Sequence, residues 1–322
     1  MRFPDLVLSS IVSSRFLFLI GAPKCGTSSL FRYLVQHPCI LGTNPKETYA
    51  FLEDQHPLAR YRNGKGMDYL KSCASFPFES GSHANCGSQK FILEGTTHNL
   101  YSRSARDTIA GMPGSCKVVV MLRDPAKRIF SSFNYTKNNL ARVKRDLTFA
   151  RYVDLLLGHE KEEIQRFIRP SASRSLLPLE LQHSMYSSYL GSWLNQFSED
   201  QIRVEVSEEF FDNTLDSLNE IFGWLGLQNL KADQLDLSPK NETRTIGLPQ
   251  IHLLAMHINK RFAGSQFRDA LKRTYLAGQD LLSFRRGNSR EDCDALQKLR
   301  QSLKPSVVDL ENMLGKKILV WR

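Results

Sequence analysis

The chain has 322 residues, 41% hydrophobic and 24% charged, with 19 Gly and 13 Pro. That composition supports a large folded core and excludes disordered, collagen-like and repeat-built proteins. Forty-three Lys plus Arg against thirty-three Asp plus Glu give a net charge of +10, which suits polyanions, anionic membranes or phosphorylated small molecules without choosing among them.

The apolar start is interrupted by Ser9, Ser10, Ser13, Ser14 and Arg15 and then runs into a glycine loop. A buried strand over Phe16–Ile20 explains it better than a signal peptide does. No run of eighteen apolar residues occurs, so no membrane insertion by this chain is predicted. The loop Gly21-Ala22-Pro23-Lys24-Cys25-Gly26 leads to a helix starting near Thr27 or Ser28 and stopping before Pro38. A short strand or turn lies near Ile40–Leu41. Residues 53–90 read as irregular, with a short helix near 66–72. Phe91–Glu94 is a brief strand ending at Gly95-Thr96-Thr97. Lys117–Leu122, continuously apolar from Val118, has the pattern of a central strand covered on both faces. Helices are predicted at 126–138, 147–157, 159–168 and 180–197, a strand and turn at QIRVEVSEEFF, and further helices at 213–226, 250–262 and 306–314. Repeated strand, loop and helix units without a linker predict one α/β domain over 1–322: P-loop-like, with a central, mainly parallel sheet flanked by helices. Irregular insertions on the substrate side are expected at 53–90 and 264–300.

None of the six cysteines forms a CxxC pair, which argues against a zinc knuckle. Cys25, Cys39 and Cys116 read as buried thiols, and Cys73 and Cys86 as a disulfide if the compartment is oxidising. No metal site is predicted.

The strongest local signal is FLFLIGAPKCGTSSL. A strand, a glycine turn and a helix opening on hydroxyl residues place backbone N–H groups around an anion. The spacing of Gly21 and Gly26 resembles a Walker A loop, but Thr27 stands where a nucleotide triphosphatase needs Lys. The lysine sits inside the turn, at Lys24. Nor does the central strand end in a metal-binding Asp: it ends at Arg123, a phosphate binder. Arg123 and Ser131 converge on one phosphate if the chain turns sharply at Asp124-Pro125, with Arg128 bracing the loop or Asp124.

The pair Pro23-Lys24-Cys25-Gly26-Thr27-Ser28-Ser29-Leu30 and Arg123-Asp124-Pro125-x-x-Arg128, with Ser131 and Ser132, resembles the sulfotransferases that use 3′-phosphoadenosine 5′-phosphosulfate (PAPS) and release PAP. The resemblance implies that the residues from Pro23 to Ser29 hold the 5′-phosphosulfate and that Arg123 with Ser131 holds the 3′-phosphate. Lys46-Glu47, followed by Tyr49 and Phe51, is similar to a stretch of the carbohydrate and glycosaminoglycan enzymes whose glutamate is the proposed base. Glu47 is then the base for the acceptor hydroxyl, and Lys24 the cation meeting charge on the leaving phosphate. The cysteine-bounded substrate loop found in some of these enzymes is absent between 228 and 250.

Around that pair, Thr96 and Thr97 either contact substrate or cap the next turn, and His98 is an alternative base. His183 and Tyr189 line the acceptor side or pack their helix. Lys240 and Arg244 close over the 3′-phosphate, bind an acidic acceptor, or form a solvated cluster. The function expected is sulfuryl transfer to a hydroxyl of a carbohydrate, an anionic one fitting the charge. The alternatives are a small alcohol or phenol as acceptor, or a non-catalytic PAP-binding or P-loop nucleotide-binding protein. Dispersed positive charge with no basic-aromatic module argues against nucleic acid as a partner. A cytoplasmic location is expected if the chain is full length, and the Golgi lumen if an anchor has been removed.

Overall fold

The computed structural model describes residues 15–59, 69–70, 72–73, 90–112, 116–169, 176–238 and 289–322. Five strands form one sheet: β1 (Arg15–Gly21), β2 (Ile40–Gly42), β3 (Phe91–Glu94), β4 (Lys117–Leu122) and β5 (Ile202–Val206), in the order β2-β3-β1-β4-β5. Every pairing is parallel, with Phe16 opposite Ile92, Phe18 opposite Val118, and Val120 opposite Val204. The mainly parallel sheet expected from the sequence is thus wholly parallel. Leu17–Ile20 and Val118–Leu122 are fully buried, as continuously apolar central strands must be when both faces are covered.

The chain divides into two compact units. The first comprises Met1–Asp124, Met185–Asn241 and Ser306–Arg322 and contains the sheet; the second comprises Pro125–Ser184 and Glu242–Pro305. In the first, the helix Thr27–Leu34 follows β1, and Arg103–Ala110, Ser187–Leu194, Ser207–Asp212 and Thr214–Trp224 are also helical. Trp193, fully buried, donates its indole N–H to the Leu100 carbonyl at 3.0 Å. In the second, Pro125–Asn134, Phe149–Leu157 and Lys161–Phe167 are helices, and Phe133 stacks on Tyr152 at 4.9 Å.

Several expected boundaries move. The first helix ends at Leu34, because His37 N–H and Gln36 N–H turn back to Leu34 and Tyr33 carbonyls. The helix expected over 180–197 is two, Glu180–His183 and Ser187–Leu194. The one expected over 126–138 ends at Asn134 and continues as a wide π turn, Tyr135–Asn139. Helix Arg290–Leu314 begins well before the expected 306 and passes through Pro305. Most of the short helix near 66–72 and all of 250–262 lie outside the described residues.

The cysteine expectations need correction. Cys73 is a free, buried thiol, so the pairing of Cys73 with Cys86 is not formed. Cys39, expected as a thiol, is disulfide-bonded instead. Cys25 and Cys116 are buried thiols outside any disulfide, as expected, and burial pushes the Cys116 thiol up to about 11. Among the described residues no helix is long and apolar enough to cross a membrane.

Candidate active site at the strand ends

Because β1, β3 and β4 are parallel, the segments that follow them leave the same edge of the sheet, which is where α/β proteins bind ligands. The first is the glycine loop. Ala22 N–H bonds the Met121 carbonyl at 2.7 Å, and Cys25 N–H turns back to the Ala22 carbonyl at 3.3 Å. Lys24 and Gly26 have φ of 68° and 87°, the left-handed region that costs a residue with a Cβ about 1–2 kcal/mol. A Cβ at Gly26 would also stand 2.8 Å from Cζ of Phe211. The helix then opens at Thr27 with Gly26 as its N-cap and no side-chain cap. Ser29 N–H closes back on the Gly26 carbonyl at 2.9 Å, and the N–H groups before it belong to the helix start, where backbone donors without an intrahelical acceptor bind anions.

The Cys25 thiol lies beneath this loop, 3.7 Å from Tyr186 Oη and from the Pro23 carbonyl. Thr27 is buried and Ser28 exposed, with Pro23, Lys24, Gly26 and Ser29 half-buried. Arg123, directly after β4, gives Nη1 to the Lys24 carbonyl at 3.2 Å, while its own carbonyl accepts from Tyr186 Oη at 2.9 Å. Glu208 fixes the next peptide: Oε1 accepts from Asp124 N–H at 3.1 Å and Oε2 from Trp321 Nε1 at 2.9 Å. A cation is therefore seated beside the loop by contacts from β4, the 186 segment and the C-terminus. An uncapped helix N-terminus with Lys24 and Arg123 is a donor set that fits a phosphate-bearing group.

The second segment follows β3. Lys46 reaches it through two bonds, its carbonyl accepting from Gly95 N–H at 3.0 Å and its Nζ donating to the Gly95 carbonyl at 2.9 Å. Gly95 is required here, since a Cβ would meet Phe31 Cδ2 at 2.9 Å and Lys46 Cγ at 3.0 Å. Glu47 Oε1 accepts from Lys46 Nζ at 3.1 Å and Thr97 Oγ1 at 3.4 Å, and Oε2 accepts from Tyr49 Oη at 2.5 Å. The half-buried carboxylate is thus held by three donors.

Beneath it lies Glu94, fully buried, a residue that sequence reasoning passed over as a strand end. Its Oε1 accepts from Thr48 N–H (3.1 Å), Thr48 Oγ1 (2.9 Å), Thr96 N–H (3.0 Å) and Thr96 Oγ1, and its Oε2 from Asn99 Nδ2 (3.2 Å). Burial pushes this carboxyl above the usual range, and the bonds from Thr96 and Thr48 only partly offset it. The signal was a lone acid ending an apolar strand before Gly95-Thr96-Thr97.

Thr96 shows the alternative to a substrate contact. It is fully buried, and its hydroxyl both donates to Glu94 and accepts from Tyr49 N–H at 2.9 Å. Thr97 reaches Glu47. His98 lies among rings, 5.7 Å from His56 and 5.9 Å from Tyr101, and Tyr189 packs edge-on to Tyr101 at 4.8 Å. In the second unit, Ser131 is half-buried on the helix Pro125–Asn134 and His183 is buried. Arg128 donates to Glu180 Oε2 at 2.5 Å and to Ser184 Oγ at 2.7 Å. Ser132, next to Ser131, donates to Glu180 Oε1 at 2.6 Å. Lys240 and Arg244 lie outside the described residues, although the preceding chain is tied down by Arg32 Nη2 to the Ser238 carbonyl at 2.6 Å.

The family model described as "Sulfotransferase domain" matches residues 15–244. The chain belongs to the sulfotransferase family. Carbohydrate sulfotransferase 15 of Mus musculus is 25% identical over 264 residues, covering 70% of this chain and 47% of that protein. Bifunctional heparan sulfate N-deacetylase/N-sulfotransferase 3 of Homo sapiens is 24% identical over 210 residues, 65% of this chain and 22% of that protein. This sulfotransferase-family chain therefore spans about half or less of the length of these relatives. A solved sulfotransferase from Alicyclobacillus acidocaldarius shares the fold, with a TM-score of 0.62 at 20% identity, covering 95% of this chain and 98% of that one.

Proposed function

We propose that this sulfotransferase-family chain transfers a sulfuryl group from PAPS to a hydroxyl of an anionic carbohydrate. The observation that carries the reading is the uncapped, glycine-closed helix N-terminus after β1, with Arg123 bonded to its Lys24 carbonyl. PAPS, when bound, supplies the activated sulfuryl group. The loop from Pro23 to Ser29 holds its 5′ end through backbone N–H groups, which Pro23 itself lacks, and Arg123 binds the 3′-phosphate by charge-assisted hydrogen bonds. Glu47 accepts the acceptor's proton as that oxygen bonds to sulfur and the bond from sulfur to the phosphate oxygen breaks. Lys24 meets the charge left on the phosphate oxygen.

The relatives named above act, by their names, on carbohydrate and heparan sulfate, which supports a glycan acceptor. The second unit adds support for an anionic one. Val143 and Ile168 form an antiparallel bridge, flanked by bonds from Lys144 N–H to Phe167 O and from Arg169 N–H to Arg142 O, both 2.9 Å. This register sets Arg142 opposite Arg169, a repulsive cross-strand pair. Among the described residues no carboxylate pairs with Arg142, Lys144 or Arg169, and an anionic ligand would relieve the repulsion. The disulfide at Cys39 favours an oxidising compartment such as the Golgi lumen.

The test is calorimetry of PAP and ADP, without added metal, on the natural chain and on Arg123→Ala. PAP is expected to bind far more tightly than ADP, and the substitution to weaken PAP roughly 10–100-fold, the worth of a hydrogen bond to a charged group, while leaving ADP unchanged. Equal affinities, or no loss in the variant, would overturn the reading. A screen of glycans and small alcohols at two salt concentrations then tests the acceptor class.

A further inference from the structure

Tyr49 sits at φ 54°, a conformation that is an outlier for a bulky side chain and persists only where the surroundings impose it. The surroundings are on both sides of it. Tyr49 N–H is held by Thr96 Oγ1 at 2.9 Å, and the preceding Thr48 is clamped through N–H and Oγ1 to Glu94. The same Glu94 oxygen receives both the N–H and the hydroxyl of Thr96. One fully buried carboxylate thus ties the chain before Tyr49 to the chain that grips its N–H.

The result of that twist is local. It returns the phenol to a residue two positions back, where Tyr49 Oη meets Glu47 Oε2 at 2.5 Å. A carboxylate offers about four lone-pair positions. Lys46 and Thr97 use those of Oε1 and Tyr49 uses one of Oε2, which leaves a position on Oε2 for an incoming hydroxyl. We infer that Tyr49 and Thr96, anchored on Glu94, are positioning residues that aim the second lone pair of Glu47 Oε2 at the acceptor. This deepens the proposed function and rests on Glu47 being the base there. Among the described residues, the charged or titratable groups bonded to Glu47 are Lys46 and Tyr49 on its own loop.

Removing the Tyr49 hydroxyl takes away the donor that fixes Glu47 Oε2. The experiment follows release of PAP from PAPS against pH, with chondroitin or water as acceptor, for Tyr49→Phe, Thr96→Val, Thr96→Ser and Glu47→Gln. PAP affinity serves as the check on folding. Tyr49→Phe and Thr96→Val are expected to lower the rate roughly tenfold across the profile, the effect of one charge-assisted bond, with PAP affinity unchanged. Thr96→Ser, which keeps the hydroxyl, is expected to restore the natural profile. Profiles unchanged in Tyr49→Phe, or equal loss in Thr96→Ser and Thr96→Val, would overturn the inference while Glu47→Gln remains inactive. Natural activity in Glu47→Gln would instead overturn the base, and the inference with it. Tyr49→Phe carries the test if Thr96→Val fails to fold.

Discussion

Arg128 is the substitution whose cost the structure sets most directly. Its side chain is 1% exposed, and it faces Glu180, 6% exposed, across a 2.5 Å ion pair. Its Nη2 also donates to the Glu180 carbonyl at 2.8 Å, and Nε and Nη2 both reach Ser184 Oγ. Replacing it by Met fills most of the volume but leaves Glu180 with only Ser132 Oγ among these side-chain donors. Breaking one side of a buried pair costs about 3–5 kcal/mol, because the remaining charge stays buried and uncompensated. Urea unfolding at pH 7 should therefore show Arg128→Met destabilised by about 3–5 kcal/mol. The double variant Arg128→Met, Glu180→Leu removes both charges and should cost less than the sum of the single changes by about 3 kcal/mol. A loss below about 1 kcal/mol for the single change, or strict additivity in the pair, would refute the assignment of Arg128 to Glu180.

Gly26→Ala should abolish PAP binding in calorimetry. The left-handed backbone costs about 1–2 kcal/mol, and the new methyl meets the Phe211 ring; adding Phe211→Ala should recover stability but only the part due to that contact. The stability of the chain should also fall in mild acid because of His37. Burial lowers its pKa below 6.5, and the ring is placed for the neutral form, with Nδ1 accepting from Cys39 N–H and Nε2 facing the Gln228 carbonyl, both at 3.1 Å. The unfolded chain binds the proton more readily, so this contribution is full above pH 6.5 and is lost as pH falls through the lowered folded value. Thermal midpoints between pH 8 and 5 should fall less steeply in His37→Gln than in the natural chain; equal slopes would remove His37 from the account.

The parts legible in the sequence were those written by local pattern. Phe16–Ile20 and Val118–Leu122 are apolar without alternation, which only a strand covered on both faces sustains, and both are fully or nearly fully buried in the sheet. Phe91–Glu94 was legible to the residue, and the helix start at Thr27 to within one residue, because glycine and hydroxyl residues punctuate these points. Where tertiary contacts decide, pattern failed. The break after His183 is invisible in sequence, since no Gly or Pro marks it, and just beyond it Tyr186 gives its hydroxyl to the distant Arg123 carbonyl. Pro305 hid a 25-residue helix, since proline ordinarily ends one. The bond from Arg128 to Glu180 was not legible because the partner is 52 residues away.

The division between what was legible and what was not follows the division of labour in the site. The groups proposed to meet a phosphate are backbone N–H groups and cations placed by strand ends, and a short motif encodes both the strand end and the group. A base has a further requirement. For the proposed base Glu47, a free lone pair must point one way, and the hydrogen bonds around it set that direction: Tyr49 from its own loop and Thr97 from beyond β3 donate to Glu47, while Glu94 holds Thr48 and Thr96 on either side of Tyr49. None of these residue types is unusual at its position, and only the crossing of β3 with the 46–50 loop gives them a common purpose. Residues that hold a phosphate are therefore found by motif, whereas residues that aim a proton acceptor are found by following the hydrogen bonds outward from it. A buried acid that ends an apolar strand beside a glycine is the point from which that search can begin.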